Sequence, residues 1–304
     1  MKSPLAIPRT IAITAGLFLA DAATAQTLQE HWWVTDGTVN AIVEDPVNNV
    51  VYIGGDFTQV GPPVPYGAGL DATTGAPDLS FVQPSGTVNV TIPDGAGGWF
   101  IGGNFYIVGG QSRFNLARIN ADGSLNPWSA HCNGPVYALD LEGGVVYVGG
   151  AFSDVSGEVR LNMAAVDANT AMLLPLGGPL VESPTKAVLT LDAVGNTLYC
   201  GGEFTAVAPI VTYGAALSTT SGAPNLDYFQ QNGAINVTIT DGAGGWYIGG
   251  EFSQVGGQTR NRVARINADG SLHPWNPNAS SSVYSLVLSG SMVYVGGWFS
   301  NIGG

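Results

Sequence analysis

A Gly-Gly-x-Phe tetrapeptide recurs six times along these 304 residues, and its spacing restricts the fold more than any single residue does. The copies begin at Gly54, Gly102, Gly149, Gly201, Gly249 and Gly296, so successive copies lie 48, 47, 52, 48 and 47 residues apart. Each sits in a repeated pattern of short runs. A first apolar run such as Thr87–Ile92 or Val136–Leu141 is followed by a turn rich in Asp, Gly and Asn. A second run, such as Val145–Gly150, ends in the glycine pair. A third, Asn115–Asn120, leads into the turn Ala121–Ser124, and a weaker fourth ends at Pro127-Trp128. Runs this short, bounded by turn residues, predict a meander of antiparallel strands.

A single four-stranded sheet cannot bury both of its faces, so such units must stack on one another around an axis. The expected fold is all-β: a β-propeller of four-stranded antiparallel blades, about six of them, the last incomplete. The blades start near residues 38, 87, 135, 186, 234 and 282 of a domain spanning 26–304. Glycine inside a strand marks a bulge or a close backbone approach, so the pairs read as structural, with the following Phe packed between blades. A longer period lies above the first. Residues 87–128 and 234–275 match at 30 of 42 positions, and the first three glycine pairs recur 147 residues later, which describes a duplicated block of three units. The sixth unit stops at Gly303-Gly304, which align with Gly256-Gly257, so the counterpart of Gln258 to Trp275 is absent. The expectation is a chain truncated at its C-terminus, with Thr27–Trp33, similar to Ser124–Trp128, offering a closing strand.

Residues 1–25 have the layout of a secretory signal peptide: Lys2 and Arg9, the apolar stretch Ile11–Ala20, then Ala23-Thr24-Ala25. Cleavage near Ala25 predicts a secreted or periplasmic protein, with no membrane span in the mature chain. Loss of Lys2, Arg9 and Asp21 moves the formal charge from −13 to −14. An acidic chain without a basic stripe excludes nucleic acid as a partner. Cys132 and Cys200 occupy unrelated repeat positions, which argues against a bridge; Cys200 replaces the apolar residue before a glycine pair and reads as a buried thiol.

The segments Trp246–Gly257 and Asn261–Leu272 resemble the delta-60 type repeat of bacterial secreted β-propellers, and the paired glycines look like those of kelch repeats. The resemblance covers residues 38–304 and implies a propeller without implying an activity. Asp71, Thr74 and Gly75 also resemble, loosely, the Ala-x-Asp-x-x-Thr-Gly signature of quinoprotein repeats. Leu79 stands where that signature has Trp, and an Asx turn with a left-handed glycine accounts for the three residues.

No cofactor or metal site is assigned. His31, His131 and His273 have no second ligand at strand or helical spacing. The turns at Asp94–Gly97, Asp241–Gly244, Asn120–Asp122 and Asn267–Asp269 lack the alternating acids of a calcium loop. No nucleophile elbow, phosphate loop or zinc-protease motif occurs. The residue between Gly-Gly and Phe is the candidate ligand contact, through Asp56, Asn104, Glu203 and Glu251, with Ala151 and Trp298 at the same position. Arg113, Arg118, Arg260 and Arg265 are expected to pair with carboxylates or carbonyls of neighbouring blades, and Trp128 and Trp275 to pack an outer strand. Gly61–Ala68 and Ala208–Ala215 are the natural recognition loops. The resulting expectation is an exported, non-catalytic scaffold for a protein or glycan partner. The alternative is a secreted polysaccharide hydrolase or lyase with carboxylates from several blades.

Overall fold

The computed structural model describes residues 35–45, 50–58, 60, 66–78, 81–176, 186–204, 213–221, 223–225 and 230–303. The leader, His31, the segment 27–33 and most of the two recognition loops lie outside the described residues. What is described is all strand, turn and loop. Unit one is a four-stranded antiparallel meander of Thr38–Asp45, Val50–Asp56, Gly67–Asp71 and Pro77–Asp78. Unit three repeats it with Val136–Glu142, Val145–Gly150, Met163–Asp167 and Leu173–Leu174. Units two, four and five keep three strands each, opening at Thr87–Pro93, Val188–Val194 and Ile235–Thr240. The expected fourth strand shrinks there to single bridges, Ile119↔Leu125, Leu217↔Pro224 and Ile266↔Leu272. Unit six shows two strands, Val283–Ser289 and Met292–Gly297.

Each first strand carries a β-bulge at the same place, between Val39 and Ala41, Val88 and Val90, Val136 and Ala138, Val188 and Thr190, Ile235 and Val237, and Val283 and Ser285. The extra residue kinks the strand and draws its backbone close to the partner strand. That explains the second glycine of every pair. A Cβ on Gly103 would overlap the Thr87 carbonyl oxygen, and one on Gly250 the Ala234 carbonyl. The first glycine answers to the next unit instead. A Cβ on Gly54, Gly102, Gly149, Gly201 or Gly249 would lie 2.7, 2.5, 2.7, 2.7 or 2.5 Å from a γ-carbon of Val88, Val136, Val188, Ile235 or Val283. The pair is thus one residue for the bulge and one for the neighbour.

The core consists of interfaces between successive units. Phe105 packs with Tyr52 and Phe81 of unit one, and Phe152 with Phe100 and Trp128 of unit two. Phe204 and Phe252 repeat the arrangement further on. The rings are buried as the sequence leads one to expect, and burying each contributes roughly 2–3 kcal/mol. Tyr52, Tyr147, Tyr199 and Tyr247 lie under the following unit, whereas their counterpart in unit six, Tyr294, is 60% exposed.

Cys200 lies inside one such interface and Cys132 beneath the bridge to Val155; both are free and buried. Burial pushes the Cys200 thiol up to about 12 and raises that of Cys132 as well. Neither thiol is expected to react with a disulfide reagent in the folded protein, and both react once denaturant is added. Titration of thiols before and after unfolding checks this.

Candidate functional site: one rim and the axial channel

Asp56 and Asn104 end the second strands of units one and two, paired with Thr38 and Thr87 at the start of the first strands. Glu203 and Glu251 follow the second strands of units four and five, their amides bonded to the carbonyls of Ala187 and Ala234. All four side chains are exposed at the same end of their sheets. No hydrogen bond or ion pair joins any two of them. Each is followed by a fully buried Phe, so a fixed base carries a solvent-facing tip.

The axis itself is lined by other residues. First strands of five units line an open cavity of about 210 Å³, into whose wall the bulges bring Asn40, Asn89, Tyr137, Leu189 and Asn236. The Asn89 carboxamide donates to the Val136 carbonyl at 3.0 Å, and that of Asn236 to Val283 at 3.1 Å. These residues latch one unit to the next. Sequence reasoning passed over them because a bulge breaks strand alternation. Alignment of the units would have shown three Asn at one position.

The arginines correct an expectation. Arg118 pairs with Asp94 at 2.7 Å and Arg265 with Asp241 at 2.7 Å, both within their own unit. Only the Arg118 Nη1 reaches a neighbouring unit, donating to the Ala168 carbonyl at 2.9 Å. Arg113 and Arg260 turn inward onto carbonyls of their own units, Asn126 and His273. The third strand lies beside the second, so the turn between first and second strands is the nearest carboxylate to a third-strand arginine. That turn also occupies the Asp94 carboxylate, which accepts the amides of Ala96 and Gly98. Asp71 accepts from the amides of Thr73 and Thr74, with Gly75 at φ +70, which is the Asx turn. Trp128 is buried, its Nε1 donating to Asp167 of the next unit at 2.9 Å. Among the described residues no group of three His, Cys, Asp or Glu stands close enough to hold a metal ion, and no helix is long and apolar enough to cross a membrane.

Two acids lie half-buried at the interface of units three and four. Asp140 accepts the Ala193 amide at 2.6 Å, and one oxygen of Asp192 is buried without a partner. Desolvation, reinforced by the charges of Asp140 and Glu142, raises the Asp192 carboxyl to about 6.

Comparison with known proteins agrees with this geometry. The chain is a repeat protein of the β-propeller class: a family model described as a domain of unknown function (DUF5122) beta-propeller matches residues 97–127 and 244–274. Those stretches are the glycine pair and third strand of units two and five. The WD40 beta-propeller domain of Doa1 is similar over 88% of this chain and 78% of its own, at 16% identity and a TM-score of 0.60. The computationally designed Ika8 protein is similar over 87% of this chain and 69% of its own, at 13% identity and a TM-score of 0.58. These likenesses establish the fold alone. No curated protein matches the chain.

Proposed function

We propose that this chain is an exported, non-catalytic propeller that binds a protein or glycan partner through the rim carrying Asp56, Asn104, Glu203 and Glu251. The reading includes removal of residues 1–25 and delivery to the periplasm or the medium, and it takes the repeats as delta-60 type with kelch-like glycine pairs. One observation carries it: a single repeat position, anchored by a buried Phe, presents polar side chains at one end of units one, two, four and five without partners of their own. Variable tips on a fixed scaffold are how repeat proteins recognise ligands. The hydrolase or lyase alternative needs two carboxylates within about 5–10 Å of one bond. Of the three acids only Glu203 and Glu251 stand on adjacent units, and no observation favours that reading.

The test is a variant with Asp56, Asn104, Glu203 and Glu251 all changed to alanine, compared with wild type by cross-linking to surface proteins and on a glycan array. Exposed substitutions cost within about 0.5 kcal/mol each, so the variant is expected to stay folded. It is expected to lose whatever the wild type captures. Undiminished capture would remove this rim from the account.

A further inference from the structure

Units two and five are near copies, and their differences are informative. Three of the 12 mismatches place Tyr106, Ile107 and Phe114 where unit five has Ser253, Gln254 and Asn261. Just beyond the matched segment, His131 stands opposite Asn278. The backbones agree: both units form a two-residue hairpin here, Ile107–Val108 with Gln111–Ser112 and Gln254–Val255 with Gln258–Thr259. The Arg113 backbone amide donates to the Tyr106 carbonyl just as the Arg260 amide donates to that of Ser253. The fold therefore does not require apolar groups at these positions. Yet Tyr106, Ile107 and Phe114 are 60%, 45% and 41% exposed.

These side chains form one surface. Tyr106 and Phe114 meet edge to face at 5.9 Å and 71°, and Phe114 lies 5.3 Å from the His131 ring at 59°. His131 Nδ1 accepts the Phe114 amide at 3.3 Å, which leaves Nε2 to donate to Ser129 Oγ at 3.0 Å. Burial and the nearby Arg113 lower the imidazole below its ordinary value, so it is neutral at pH 7. The Arg113 guanidinium faces inward and adds no charge to these four side chains; the unit-three hairpin bonded to His131 through Ser156 carries Asp154 and an exposed Glu158 paired with Arg160.

We infer that Tyr106, Ile107, Phe114 and His131 form a binding site for an uncharged carbohydrate on the rim beside Asn104. The inference rests on the rim-binding reading and names its ligand. Four uncharged side chains, bordered by the acidic hairpin of unit three in an acidic chain, disfavour an anion and select a neutral ligand. Size separates a sugar from a protein. With aromatic side chains of ~150–250 Å², these exposures present about 300 Å² in all, well below the ~800 Å² per partner of a stable protein interface. A patch of that size suits the C–H faces of one or two sugar rings stacked on aromatic rings, with the Tyr106 hydroxyl and the exposed Asn104 carboxamide free for sugar hydroxyls.

The probes are cellohexaose, xylohexaose and maltohexaose, titrated calorimetrically into the mature chain with polygalacturonate as the charged control. At least one neutral hexamer is expected to bind and the polyanion to fail. A Tyr106→Ser, Ile107→Gln, Phe114→Asn variant carries the unit-five residues, so it is expected to fold and to bind at least tenfold more weakly. The reciprocal Ser253→Tyr, Gln254→Ile, Asn261→Phe variant is expected to gain a second site. Failure of all three hexamers to bind wild type overturns the carbohydrate assignment. So does unchanged affinity in the first variant. If a captured protein is lost with that variant while no sugar binds, the rim reading stands and the ligand class falls.

Discussion

Replacing Gly103 with alanine is expected to lower the melting temperature by roughly 10 °C. The added Cβ overlaps the Thr87 carbonyl oxygen and approaches the Val88 Cα to 3.0 Å, and both belong to backbone held by the bulge. Backbone cannot move aside as a side-chain tip can, so the cost is about 3 kcal/mol or more. At ~2–4 °C per kcal/mol for a domain of this size, the shift follows. Gly296→Ala provides the contrast. Its Cβ meets only the Ser285 side chain, whose rotamer can change, and the expected loss is a third as large or less. Thermal unfolding followed by circular dichroism compares the two; equal losses would show that the bulge does not set the requirement.

The second large effect depends on pH. Asp192→Asn is expected to stabilise the protein by roughly 2 kcal/mol at pH 7.5 and to leave it unchanged near pH 3.5. The folded state holds the Asp192 proton up to about 6, against 3.8 for an unperturbed aspartate, because burial and the charges of Asp140 and Glu142 disfavour the anion. A group that binds its proton more tightly when folded adds stability below the unfolded value. That contribution fades between 3.8 and about 6 and is gone above, where the buried anion must be carried. An amide avoids the charge at every pH, so the gain appears only on the alkaline side. Urea denaturation across this range measures it. A gain that is the same at both ends would mean that charge is not the cause.

The class of fold was legible because its requirements recur. Six glycine pairs at spacings of 47 to 52 residues specify an interface repeated along the chain, and each pair meets the bulge or neighbour that forbids a side chain. The bulge residues were not legible, since an inserted residue shifts Asn89 and Asn236 out of the alternation by which a strand is recognised. The arginine partners were misassigned for a related reason: spacing says which residues recur, not which turn lies beside them. Asp140 and Asp192 hid in plain view. At their position other units carry Val43, Ile92, Ile239 and Val287, so two acids among apolar residues already mark a special interface. The aromatic surface was hidden by the strength of the match between units two and five. The identities drew attention and the few mismatches did not.

The glycine-to-valine fit between units also bears on how such a chain came to exist. Gly102 faces Val136 inside the first block of three units, and Gly149 faces Val188 across the junction where the second block begins. Both contacts use the same small residue on one side and a β-branched residue on the other. The copied block therefore met a surface it already fitted. Ancestral tandem copying needed no new adhesive contact to be tolerated, and selection was free to act on the exposed positions where the two copies now differ.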